Sequence, residues 1–138
     1  MTRDFKIIMG IRLVQPPHEL DLHNFYDFQE VRYAPTPRIM SLLWHRSPRD
    51  GVPLSLPSSV LIEFREVSEF RFLPRDAELP FTEDDCVRDF GYWTDEKWSN
   101  GSVMMLDENV PDGDFNAIHF MSGAIIVVHA KSAHATIQ

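Results

Sequence analysis

The chain has 138 residues, a formal net charge of −8 and one cysteine. That length suits one domain around a single buried core, and a lone thiol excludes an internal disulfide framework. The acidic balance argues against a nucleic-acid partner, and no apolar run nears the roughly 20 residues of a membrane helix. Asp4 and the short apolar stretch after it argue against a signal peptide, so a cytoplasmic protein is the expectation.

Phe5–Val14, rich in Ile, Val and Phe, is predicted as one strand ended by Gln15-Pro16-Pro17. His18–Tyr26 fits neither period and suggests a turn of helix from Asp21. Phe28–Ala34 and Ile39–His45 form a predicted hairpin about Pro35-Thr36-Pro37, with Met40, Leu42 and Trp44 on one face. Ser47–Ser59 is broken by three prolines and Asp50-Gly51, and reads as loop. Ser59–Leu73 alternates well at first. Its phase slips at Val67, which predicts a bulge or tight bend over Glu66–Ser68.

A single short helix is expected over 82–90. Thr82 would cap it, Glu83, Asp84 and Asp85 would favour the positive end of its dipole, and Gly91 would stop it. Tyr92–Thr94 and Ser102–Asp107 look like short strands, and Glu108–Asp114 like an acidic loop. Phe115–Met121 and Ala124–Lys131 then flank Ser122-Gly123, which predicts a hairpin with a two-residue turn. That register sets Asn116, Ile118 and Phe120 on the face of Ile125, Val127 and His129. Both faces are mostly apolar, so these strands are expected at the centre of a sheet covered on both sides. Ala133–Gln138 would continue the last strand. The pattern predicts a mainly β, single-domain antiparallel sandwich or partly open barrel with one short helix.

Charge is the informative asymmetry. Residues 76–114 carry twelve acids against Arg88 and Lys97, more than the whole imbalance of the chain. The aromatics Phe81, Phe90, Tyr92, Trp93 and Trp98 are interleaved with these acids. On one reading the rings fill the core while the acids face water. On the other, Tyr92, Trp93 and Trp98 stay partly bared beside Glu83, Asp84, Asp85, Asp89, Asp95 and Glu96. Rings among charges suit a specific protein-binding face for a basic partner. The same rings could serve as a homodimer contact, or as stacking platforms in a small-ligand or carbohydrate-binding β-sandwich.

Chemistry has little to hold it. Acids before Cys86 should raise its pKa, against a reactive thiolate. Six histidines show no metal-ligand spacing, and the register above puts His119 and His129 on opposite faces. Asp107, Glu108, Asp112 and Asp114 miss the spacing of a calcium loop. No nucleotide, hydrolase or redox motif is present. A site built from distant residues, such as His119 with Asp107 or Glu108, is the enzymatic alternative. The expectation is a non-enzymatic protein with no cofactor and no bound metal.

The run Ile62-Glu-Phe64-Arg-Glu-Val67-Ser-Glu-Phe70, preceded by the hairpin Phe28–His45, resembles a pattern of small bacterial immunity proteins and related uncharacterised β domains. The resemblance covers about the middle half of the chain and carries over no functional residue. It implies a cytoplasmic inhibitor that neutralises a cognate toxin by tight binding. An acidic face would speed encounter with a basic one.

Overall fold

Phe5, Trp44 and Phe90 meet at the centre of the molecule, each from a different sheet or the residue beside it. Phe90 lies 6.3 Å from Phe5 and stacks at 6.5 Å on Trp44, ring centre to ring centre. The computed structural model describes residues 1–93 and 115–138. Its strands, in chain order, are β1 (Thr2–Arg3), β2 (Lys6–Ile8), β3 (Arg12–Gln15), β4 (His18–Asp21), β5 (Tyr26–Ala34) and β6 (Ile39–Arg46). They continue with β7 (Ser59–Arg65), β8 (Glu69–Leu73), β9 (Val87–Trp93), β10 (Phe115–Phe120), β11 (Ile125–His129) and β12 (Ser132–Ile137).

Two sheets, β1-β12-β7-β6-β5 and β8-β11-β10-β9, pack as a sandwich, and a third, β2-β3-β4, joins their core. Alternation decides which side chains enter it. Met40, Leu42 and Trp44 of β6 and Val60, Ile62 and Phe64 of β7 are all fully buried. From the second sheet come Phe90, Ile118, Phe120, Ile126 and Val128.

The phase slip at Val67 is where the chain changes sheets. Glu66 takes φ 53° and Val67 donates to Arg38 O, so β7 ends in the first sheet and β8 begins in the second. One predicted strand is thus two, joined by the expected bend. The same holds at Ala130-Lys131: β12 does not continue β11 but crosses to pair with β7 and β1. Phe5–Val14 is also two strands, because Met9 and Gly10 adopt positive φ and fold β2 onto β3. His18–Asp21 is a strand rather than helix; the Asp21 carboxylate accepts the amides of His23 and Asn24 and turns the chain beyond it.

The central hairpin forms, with β10 and β11 inside their sheet, but its register is displaced by one residue. Gly123 N donates to Phe120 O and Phe120 N to Ala124 O, so the turn holds three residues, Met121-Ser122-Gly123. Gly123 carries φ +86° at the position where such a loop needs it. Adding one residue to a turn reverses which side chains share a face. Ile118 therefore pairs with Ile126 and Asn116 with Val128, both toward the core, while His119 pairs with Ile125. His119 and His129 share a face after all, four residues of strand apart, about 13 Å and too far for one ligand.

The helix over 82–90 does not form. One 3-10 turn, Phe81–Glu83, follows Pro80 with no side-chain cap, and residues 87–93 become β9, the last of the described strands in its sheet. The register of β9 against β10 jumps between His119 and Phe120, leaving Arg88 as the extra residue. This bulge sets Val87 and Phe90 on one face although they are three positions apart, the spacing a helix also produces. Two turns of helix have little stability alone, whereas β9 completes a ladder.

The sandwich has two unlike flanks. At the β9/β12 side, Phe90 N donates to Gly10 O and Gln15 Nε2 to Ala135 O, so the third sheet closes the gap. At the β5/β8 side both strands are last among the described strands of their sheets, and an apolar groove of about 310 Å³ opens between them.

Candidate functional site

Residues 74–86 leave β8, pass the hairpin turn and return to β9. Backbone bonds hold this segment from both sides. Asp76 N donates to Ser122 O, Ser122 N to Glu83 O, Met121 N to Cys86 O and Phe28 N to Asp85 O. Ser122 is wholly buried beneath it. The segment therefore ties the hairpin turn to the edge of the other sheet.

At its apex stands Phe81, 80% exposed, on the 3-10 turn. The Arg75 guanidinium lies 4.4 Å from its ring centre, donates to Leu79 O at 2.6 Å, and bridges Asp84 at 2.9 Å. A cation under the ring and an ion pair beside it orient an exposed aromatic without burying it. Leu79 is exposed next to it, and Asp76, Glu78 and Glu83 lie in the same segment. Arg75, with help from the Ser122 hydroxyl, holds the Asp84 carboxyl below its ordinary range.

The acids expected on one face do not all gather here. Glu83 and Asp84 belong to the segment, but Asp85 diverges: its pKa is raised, first by burial and then by the nearby Asp27 carboxylate, itself bridged to Arg49. Asp89 sits on the outer face of the second sheet, 3.6 Å from Arg88 and 3.8 Å from His119. Burial, aided by Arg88, lowers the His119 pKa, and Asp89 opposes the shift. Asp95, Glu96 and Trp98 lie outside the described residues, as do Asp107, Glu108, Asp112, Asp114 and the predicted strand Ser102–Asp107.

Tyr92 and Trp93 are not bared. They are 6% and 3% exposed. Tyr92 turns inward at its pairing with Asn116 and lies under the Arg3 guanidinium, 4.5 Å from its ring centre. Trp93, on the opposite side of the strand, packs with Ala117, Val127 and Ile125. Neither can anchor a partner or stack on a sugar. Among the described aromatics of residues 76–93 the exposed ring is Phe81, and the signal for it was Pro80, which starts a tight turn in a segment too polar to bury.

Cys86 meets a histidine that sequence spacing does not reveal: its Sγ lies 3.6 Å from His23 Nδ1. That nitrogen also lies 2.6 Å from Val87 O, a pure acceptor, so it carries the proton and donates it there. It cannot take a proton from the thiol. The Cys86 pKa is raised, by burial before any carboxylate, and the sulfur stays protonated. Among the described residues no three His, Cys, Asp or Glu side chains cluster to hold a metal ion, and no helix is long and apolar enough to cross a membrane.

These features define a two-layer β-sandwich that presents an exposed aromatic, contacted by Arg75, in an acidic segment. Compared with known proteins, the chain matches no family model, no curated protein and no solved structure.

Proposed function

We propose that this protein is a non-enzymatic binding module for a basic protein partner, of the immunity-type inhibitor class that its strand pattern resembles. The observation that carries the reading is Phe81: a large ring four-fifths exposed, with the Arg75–Asp84 ion pair against it, in a segment that also carries Asp76, Glu78 and Glu83. A preformed aromatic costs little entropy to dock, and truncating such an anchor typically costs 2 kcal/mol or more of binding, about thirtyfold in Kd. The surrounding carboxylates steer a cationic partner and set the salt dependence of association.

The reading requires a large toxin-like reading frame directly upstream of this one, and the product of that frame is the probe. Binding and growth rescue are measured between about 50 and 500 mM salt, over which the Debye length shrinks about threefold. Phe81→Ala should speed dissociation, and Glu78→Lys with Glu83→Lys should slow association and flatten its salt dependence. No binding and no rescue, or binding that ignores these three positions, overturns the reading.

A further inference from the structure

We propose that the open flank is a homodimer interface, in which β5 pairs antiparallel with β5 of a second copy about a two-fold axis at Val31. The backbone of β5 is available for this. Among the described strands it is the last of its sheet. Phe28 N is taken by Asp85 O, and beyond it Gln29, Glu30, Val31 and Arg32 are all exposed. Among the described residues no hydrogen bond to another element occupies the outward edge from 29 to 34.

Charge selects both the occupant and the register. A two-fold axis normal to the sheet keeps each side chain on its own face, so it must pass beside one residue that meets its own copy. Centred on Val31, the pairing sets Glu30 opposite Arg32 of the second copy and Arg32 opposite Glu30, two ion pairs from one strand. Centred on Glu30 or on Arg32, it sets like charges directly opposite, which is destabilising. Edges are guarded against pairing by charges, a proline or a bulge; the bulge of β5 lies at Gln29, just before the stretch proposed to pair. This one alternates and complements itself. The existing Glu30–Arg32 contact at 3.3 Å shows that both heads already share one face of β5.

Apolar surface lies along the same edge, on the opposite face of β5 from these charges. Val31 is 37% exposed and Phe72 of β8 is 53% exposed, and both line the groove floored by Phe28, Phe120 and Ile126. An axis at Val31 carries this rim against the rim of the second copy and covers both rings. The Phe81 segment lies beyond the Arg75 end of the groove, so the dimer presents two such faces. The proposal does not depend on what Phe81 binds.

Sedimentation velocity and light scattering over micromolar to near-millimolar protein read the outcome. The wild-type chain should be a concentration-dependent dimer. Glu30→Arg alone and Arg32→Glu alone should each weaken it by about tenfold or more, since symmetry places every change at two sites. The double swap E30R/R32E should restore dimerisation, and all three variants should keep the wild-type circular dichroism because both side chains are exposed. A monomer at every concentration, a dimer indifferent to the single changes, or a double swap as weak as either single variant overturns the proposal.

Discussion

The two flanks of the sandwich solve the same problem in opposite ways. At the β9/β12 flank, the strands Lys6–Ile8, Arg12–Gln15 and His18–Asp21 cover the gap, bury Ile7, Leu13 and Leu20, and occupy Phe90 N and Ala135 O. At the β5/β8 flank the 74–86 segment closes only one end, where Asp85 O takes Phe28 N, and beyond it Phe72 and Val31 stay half in water. The difference teaches where stability and recognition reside. A flank that satisfies its backbone and buries its side chains contributes to folding. A flank that leaves both open is free to meet another surface.

The largest expected effect falls on the closed side. Phe90→Ala removes the ring that touches Phe5 and Trp44 and should cost about 3–5 kcal/mol in chemical denaturation. A loss below about 1 kcal/mol would mean the three sheets do not share one core. Next comes the hairpin turn that anchors the 74–86 segment. Gly123→Ala places a Cβ at φ +86° and 3.4 Å from Asp76 N, and should cost about 1–2 kcal/mol by the same measurement.

The pH dependence separates the faces further. Burial holds His119 below its ordinary 6.5, so the folded protein binds fewer protons than the unfolded chain as pH falls through that value. Its contribution is fully present above pH 6.5 and is lost on acidification through the lowered folded value. Denaturation midpoints for His119→Gln should lose that part of the slope; an unchanged slope would remove His119 as its source. The smallest effect is expected on the open flank. Phe72→Ser should change monomer stability by less than about 1 kcal/mol, because half of the ring is already solvated. A loss as large as that at Phe90 would erase the distinction between the flanks.

What the sequence by itself determined was period and punctuation. Alternation in Ile39–Arg46 and Ser59–Arg65 placed Met40, Leu42, Trp44, Val60, Ile62 and Phe64 inside, and Gly123 marked the turn between two central strands. Those signals are local, since a strand alternates wherever it lies. The tertiary structure alone decided that the chain changes sheets at Glu66 and again at Lys131, because a bend reads the same whether the next strand stays or crosses. It also decided that Val87 and Phe90 align through a bulge at Arg88, and that Phe81 rather than Tyr92 or Trp93 is bared. An aromatic beside acids has no preferred side until a partner strand and a covering guanidinium supply one, and those come from residues far away in the chain.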